Sequence, residues 1–422
     1  MQKPKIYFVP HYIGSLKHFE RLIPYVGEKY DVGFLAIDKN IERSRALAEY
    51  CKNKKYEFKF FDIESSGAKR FRMPFFTGMS ERYKQCEIYR NFLNAKKPQK
   101  IIFTKTWYHH NLFLREANKK DVETILLFFT GPTHHLVYGS LSSRTVPIGR
   151  KLKIIFKRIQ QFVTDFVFHT IDFMYSIQKS IQYKKNVSQP NKIGIFNEYE
   201  RTIGRAGGYD AKSVCVVGSP DFQITHELKS KINANRSLRS DLLGKYGLNE
   251  NKLKILFIIY RFYSLPPLAE HRMSIQEHLS HHQGILRTIR TVFSEKEADI
   301  LLKMHPGEKM IYDSYKNLGV KIYHDESRTD ELVCLSDLYI ADPTTHVNNM
   351  AFAIGIPALF INFSKLHFLN NLMEYFHIKH IVTDREDFIE KLRQFKQGAL
   401  EKQYENSSID FGSVDNLIKF IG

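Results

Sequence analysis

The chain has 422 residues, 43% hydrophobic and 26% charged, and its 63 Lys and Arg against 45 Asp and Glu give a formal net charge of +18. These proportions exclude a disordered, collagen-like or coiled-coil chain, and at roughly 150 residues per domain the length points to two or three domains. The charge favours an anionic partner, whether phosphorylated substrate, charged glycan, acidic membrane surface or nucleic acid.

Strand and helix patterns alternate from the start. Ile6–Val9 reads as a strand, and Gly14-Ser15 opens an amphipathic helix to about Val26. Asp31–Ala36 is a second strand, 41–53 a second helix and Tyr56–Phe61 a third strand. A helix over about 80–95 precedes strands at Ile101–Thr104 and Thr124–Phe129. Short apolar runs separated by helical patterns predict βαβ units on a parallel sheet. Residues 149–186 change character. They are basic and aromatic-rich, with Ile155, Ile159, Phe162 and Phe166 at helical spacing behind Lys151, Lys153, Lys157 and Arg158. Ile193–Phe196 then resumes as a strand.

A second alternating half follows. Val214–Val217 ends in Gly218-Ser219-Pro220, and a polar helical stretch covers about 223–247. Strands are predicted at Lys254–Tyr260, Asp299–Lys303, Val320–Tyr323, Leu338–Ile340 and Ala358–Ile361. Helices are predicted over 275–294, 329–336 and 345–354, with two more at the end. The fold expected is α/β: two Rossmann-like, doubly wound domains facing a cleft. The first spans 1–200 and binds an acceptor; the second spans 210–400 and binds a nucleotide. A final helix within 401–422 is expected to cross back to the first domain. In open α/β sheets ligands sit beyond the carboxyl ends of the strands, so those loops carry the candidate chemistry.

Four cysteines, Cys51, Cys86, Cys215 and Cys334, lie far apart with no CxxC spacing. That fits a reduced, cytoplasmic setting. The amino terminus lacks the apolar stretch of a signal peptide, and no apolar run approaches the ~18 residues of a spanning helix.

Two strand-end segments stand out. In Leu301–Glu308, His305 sits at a strand tip and Pro306 fixes the turn; the imidazole is placed to hydrogen-bond a phosphate. In Ser336–Met350, a strand ends at Ala341, and Thr344 or Thr345 caps the next helix. Free N–H groups, a positive dipole end and two hydroxyls make an anion site. Gly355-Ile356-Pro357 turns that helix into the next strand.

The order VVGSP, apolar strand, KMHPGE, then SDLYIADPTTHVNN and GIP resembles the carboxyl-terminal half of GT-B glycosyltransferases. It is similar to bacterial capsule and sialyl- or polysialyltransferase-type enzymes with an HP motif. CDP-glycerol glycerophosphotransferases and UDP-N-acetylglucosamine 2-epimerase-like enzymes are similar in layout. The resemblance covers roughly residues 210–365. It implies that His305, Thr344 and Thr345 hold the phosphates of a CMP- or CDP-linked donor, with Pro306, Gly218 and Ser219 in the same site. Many UDP-sugar members carry a ribose-binding Glu where this chain has Asn348 and Asn349, which weighs against a UDP donor. The acidic motif that supplies the base in bacterial sialyltransferases is missing.

The base is therefore sought in the first half. Inverting transfer needs one group to take the acceptor proton and positive groups to steady the departing phosphate. His134 and His135 follow the strand ending at Phe129, and His11 follows the first strand. Each is a competent base near pH 7; an acid such as Glu198 is the remaining choice. Arg261, after the most apolar strand, is a candidate phosphate ligand. His109 and His110 read as acceptor-facing surface. Neither a dinucleotide fingerprint nor a P-loop occurs. His278, His281 and His282 lack supporting Cys or carboxylates and read as a solvated helix face, so no metal is expected.

Segment 149–186 reads either as a core or interdomain helix or as a peripheral contact with an anionic bilayer. The function expected is a metal-independent, cofactor-free, inverting glycosyl transfer. It would move sugar from a nucleotide-activated donor to an anionic or lipid-linked surface glycan, at the inner face of the cytoplasmic membrane. The alternative on the same fold is a UDP-N-acetylglucosamine 2-epimerase-like enzyme. A nucleic-acid-binding protein is the rival from another class, but no RNA module or basic recognition helix is present.

Overall fold

A computed structural model describes residues 3–11, 13–37, 41–61, 74–104, 108–127, 189–195, 211–218, 220–259, 273–304, 309–324, 328–342, 345, 347–363, 378–404 and 414–422. They form two compact units. The first takes the described residues through Gly218 together with the carboxyl-terminal helix, and the second those from Pro220 to Tyr404.

The first unit holds strands β1 (Lys5–Val9), β2 (Asp31–Ala36), β3 (Glu57–Phe60), β4 (Lys100–Phe103), β5 (Glu123–Leu127), β6 (Lys192–Ile195) and β7 (Val214–Val216). They make one parallel sheet in the order β3-β2-β1-β4-β5-β6-β7. Its helices are α1 (Ile13–Val26), α2 (Ile41–Asn53), α3 (Pro74–Lys96) and α4 (Tyr108–Asn118). Both faces of the sheet are covered. Tyr7 and Val9 enter a cluster with Tyr89 and Phe92 of α3 and Phe113 of α4. Ile6 and Phe8, one residue out of phase, enter another with Leu16, Phe19 and Leu22 of α1. This is why the strands read as continuous apolar runs instead of alternating ones. The abundant Phe residues fill these layers: Phe8 stacks on Phe19 at 4.3 Å, and Phe61 meets Tyr89 and Phe92 edge-on at 5.2 Å.

The second unit repeats the plan. Strands β8 (Leu253–Ile258), β9 (Ala298–Lys303), β10 (Val320–Tyr323), β11 (Leu338–Ala341) and β12 (Ala358–Phe360) form a parallel sheet in the order β10-β9-β8-β11-β12. Around it lie α5 (Pro220–Ala234), α6 (Arg236–Lys245), α7 (Ile275–Val292), α8 (Thr329–Leu335), α9 (Val347–Ile354) and α10 (Arg385–Lys396). Ile255 and Phe257 pack with Ile285, Leu286 and Ile289 of α7 and with Phe388 and Leu392 of α10. Helix α5 packs against α8 and α9.

Several expectations are corrected. Val214–Val216 belongs to the first unit because it hydrogen-bonds in parallel to β6, and the described residues of the second unit start at Pro220. The single helix expected over 223–247 is broken at Asn235, whose side chain caps α6 by accepting the Leu238 N–H at 3.1 Å. Helix α4 replaces the loop read through His109 and His110. Segment 149–186 lies outside the described residues. Among those described, no helix is long and apolar enough to cross a membrane.

Helix α11 (Val414–Ile421) packs on α1 of the first unit, burying Val414, Leu417 and Ile421. Its last carbonyls are held from the sheet. The Lys100 ammonium donates to the carbonyls of Ile421 and Gly422, and Lys192 donates to that of Phe420 at 3.3 Å. Glu123 bridges both lysines at 2.8 and 2.7 Å. Burial pushes the Glu123 carboxyl up, but hydrogen bonds from Lys100 and Lys192 outweigh it and leave the pKa lowered. Cations at a helix carboxyl terminus satisfy its free carbonyls and its dipole together. Replacing Lys100 with Met removes a charged donor and is expected to cost α11 about 2–3 kcal/mol of local stability. Amide hydrogen exchange across Val414–Ile421 should accelerate while exchange in the second unit stays unchanged; equal protection in the variant would show that the lysine does not hold the helix.

Candidate functional site

In each sheet the chain builds outward from its first strand in one direction and then resumes on the other side. The crevice at such a reversal, beyond the carboxyl ends, is where open α/β sheets bind ligands. The reversals lie between β1 and β4 and between β8 and β11.

At the first, β1 leads into His11, which is buried, and the His11 backbone N–H donates to Ser15 Oγ at 2.8 Å. The buried Thr104 hydroxyl, just beyond β4, donates to the Val9 carbonyl at 3.5 Å. His110 is buried in α4 with its ring edge-on to Phe103 at 6.4 Å. That corrects its reading as acceptor-facing surface: α4 turns it inward. His134 and His135 lie outside the described residues, as does Glu198.

At the second reversal, Ala341 aligns with Ile258 of β8 and Phe360 of β12, so Asp342 emerges between the ends of those strands. The loop after it is tied down from within. Thr345 N–H donates to the Asp342 carbonyl at 3.3 Å, and Thr345 Oγ1 accepts from Val347 N–H at 3.4 Å. Asn348 is fully buried in the first turn of α9; its Nδ2 donates to the Asp342 carbonyl at 3.2 Å and its Oδ1 accepts from the Tyr339 hydroxyl at 2.8 Å. Burial, and then nearby Asp342, raise the Tyr339 pKa far above its ordinary value, so the phenol remains a donor. An amide is the side chain that both accepts and donates there, and a carboxylate could not donate. Asn348 is therefore a structural pin, a role that its comparison with a ribose-binding Glu concealed. The helix ends at Gly355, φ +68°, with the Ile356 N–H returning to the Ala351 carbonyl at 3.3 Å.

The remaining predicted donor ligands divide. Gly218 is described, buried and at φ +69°, a conformation that favours glycine between β7 and α5. Thr345 is half-buried at the entry to α9. Ser219, Arg261, His305, Pro306 and Thr344 lie outside the described residues. Lys303, next to the HP dipeptide, is buried and donates to the His324 carbonyl.

The three histidines of α7 correct a further reading. His278 and His282 are almost wholly buried, in line with Ile285, Leu286 and Ile289 on the core face of the helix. His281, half-buried, lies edge-on to His282 at 5.3 Å and to Phe363 at 6.0 Å. The solvated-face reading fails because these positions continue the apolar stripe. His281 and His282, with Asp342, Asn362 and four apolar side chains from Phe257 to Phe363, line a cavity of about 10 Å³ at the carboxyl ends of β8, β11 and β12. Burial, and secondly His278, push the His281 pKa down to about 4, and burial first of all lowers that of His282 well below its ordinary value. Both rings are neutral near pH 7. Among the described residues no set of three or more His, Cys, Asp or Glu is placed to hold a metal ion.

No protein-family model and no curated protein sequence matches the chain. Solved structures do. The UDP-GlcNAc 2-epimerase of Neisseria meningitidis, bound to UDP-GlcNAc, has a TM-score of 0.56 at 12% identity, with 98% of each chain covered. The UDP-GlcNAc 2-epimerase of Methanocaldococcus jannaschii has a TM-score of 0.57 at 11% identity, with 99% of each chain covered. The S. aureus MnaA structure with UDP has a TM-score of 0.55 at 12% identity, covering 99% of this chain and 96% of that one. In its described residues this chain thus has the α/β fold of those structures, with two units each built on a parallel sheet.

The pinning role of Asn348 is testable against its neighbour. Asn348→Asp loses the Nδ2 donor and is expected to destabilise the second unit by about 2–3 kcal/mol. Asn349→Glu, at a half-buried position, should stay within about 0.5 kcal/mol. Denaturant midpoints followed on the second unit's transition check this, and equal midpoints for the two variants would remove the structural account of Asn348.

Proposed function

We propose that this protein is a nucleotide-sugar enzyme whose substrate is a UDP-linked N-acetylhexosamine, and that its reaction is inversion at C2 of the sugar, as in UDP-GlcNAc 2-epimerases. The observation that carries this reading is the likeness along the whole chain to structures holding UDP-GlcNAc or UDP. It replaces the CMP- or CDP-linked donor favoured by the short motifs alone.

In this reading the nucleotide lies beyond the carboxyl ends of β8, β9 and β11. His305, Thr344 and Thr345 take the phosphates, with Pro306, Gly218 and Ser219 shaping the turns and Arg261 neutralising charge. Epimerisation needs a proton removed from one face of C2 and one delivered to the other. His11, with His134 or His135, is proposed to move those protons. An imidazole serves because it takes or gives a proton near neutral pH.

Glycosyl transfer to an anionic glycan is the second reading. It is favoured by the commitment of the Asn348 amide to Tyr339 and Asp342, which leaves no carboxylate at that turn of α9. One experiment separates the two. Incubation with UDP-GlcNAc alone in D2O is followed by proton NMR. An epimerase produces the manno epimer with deuterium at C2, and His11→Ala should slow this at least ~100-fold. A transferase binds the nucleotide but leaves the sugar unchanged until an acceptor is supplied. Failure to bind either UDP-GlcNAc or UDP would overturn both.

A further inference from the structure

We propose that Lys229 of α5, Arg239 of α6 and Lys254 of β8 form an anion site beside the amino-terminal rim of the second sheet, and that its ligand is a phosphate group, free or carried as a monoester by a small molecule. The site lies at the opposite edge of that sheet from the crevice assigned to the nucleotide, and it goes beyond the UDP-sugar reading without resting on it.

Packing brings the three cations together. The Lys229 ammonium donates to the Cys334 carbonyl at 2.7 Å, which ties α5 to the last turn of α8. Asp337, two residues beyond α8, exchanges bonds with β8: its N–H donates to the Lys254 carbonyl at 2.8 Å, and its Oδ2 accepts the Lys254 N–H at 2.7 Å. Arg239 lies on α6, which packs against both α5 and α8. Burial lowers the pKa of Lys229 and of Lys254, and the charge of Arg239 lowers both further, while Asp337 raises them. Three cations thus share the field of one half-buried carboxylate, already hydrogen-bonded to the main chain.

The first unit solves the same problem differently. There Lys5 pairs with Asp31 and Glu57, and Lys100 and Lys192 pair with Glu123 at 2.8 and 2.7 Å. Among the described residues, no carboxylate comes within ion-pair distance of Lys229, Arg239 or Lys254. The Lys254 ammonium, on a side chain 2% exposed, is held by the Glu250 carbonyl at 2.8 Å. The Arg239 guanidinium makes no hydrogen bond to a described residue, and Lys229 keeps donors beyond the one given to Cys334. A phosphate accepts two parallel bonds from a guanidinium fork and another from an ammonium, and its charge removes the repulsion among the three cations. The positive charge is recessed, with Lys254 buried and Lys229 and Arg239 half-buried. Such charges suit a compact anion, whereas a lipid surface or an acidic protein face calls for exposed ones. Partial burial also strengthens each contact by lowering the local dielectric.

Trace acetylation of the full chain, read by mass spectrometry, tests the assignment, because an amine bound to an anion labels slowly. Lys120, exposed on the first unit, is the internal reference. Inorganic phosphate and glucose 6-phosphate are each compared with sodium chloride at matched ionic strength. At a probe concentration about tenfold above its dissociation constant, labelling of Lys229 relative to Lys120 should fall about tenfold. Protection by inorganic phosphate supports a site for the phosphate group itself; protection by glucose 6-phosphate alone supports a monoester site. Arg239→Gln removes the fork and should raise the concentration needed for protection about tenfold. Arg239→Lys keeps the charge without the fork, should fall between, and serves if the thermal midpoint shows that Arg239→Gln folds poorly. Lys229 labelling that neither probe changes, protection shared equally by Lys120, or full protection in folded Arg239 variants would overturn the site. UDP takes no part in these outcomes, so they leave the UDP-sugar reading as it stands.

Discussion

A parallel sheet covered on both faces leaves polar chemistry almost nowhere to go except the strand ends, and this constraint governs both units. Along β1 the successive residues Ile6, Tyr7, Phe8 and Val9 are all buried, alternating between two helical layers. Along β8 the run from Ile255 to Ile259 is buried as well. A charged or catalytic side chain within such a run would pay for desolvation without a partner. The functional groups are accordingly pushed to the rims, and the two rims of each sheet have different characters.

The amino-terminal rims carry ion pairs. Lys5 bridges Asp31 and Glu57 across three adjacent strand starts. Lys100, Glu123 and Lys192 do the same and also grip α11. In the second unit Asp299 accepts from the Asn249 backbone and faces Lys321 at 3.3 Å. These groups satisfy each other and tie strand starts together. The carboxyl-terminal rims carry His11, Thr104, Asp342, Thr345 and Asn362, with the imidazoles of α7 behind them. Their hydrogen bonds shape loops. The contrast follows from the direction of parallel strands, which brings all the loops opening into helices to one edge.

The loop after β11 illustrates how such an edge is made rigid. Tyr339, two positions before the carboxyl end of β11, holds Asn348, and Asn348 holds the Asp342 carbonyl. A buried phenol, an amide and a main-chain carbonyl thus fix the entry to α9 without a charged group. A fully satisfied buried network of this kind specifies one geometry, whereas a half-satisfied one would cost more than an apolar core. Nearby, burial holds the pKa values of His281 and His282 below the ordinary range, and ring packing orients both side chains.

Periodicity and turn chemistry made the α/β class, the strand positions and the strand-end loops legible from the sequence, because a buried parallel strand leaves a short continuous apolar run that composition alone preserves. His11, Gly218 and Thr345 could be located at rims for the same reason. The membership of Val214–Val216 in the first sheet was not legible, since a three-residue strand carries no mark of its partner. The inward turn of His110, the pinning role of Asn348 and the burial of His278 and His282 were equally hidden. Histidine and asparagine are polar in any one-dimensional count. Only the packing of α4, α7 and α9 against their sheets decides whether such a side chain meets water, a core or a neighbour's hydrogen bond.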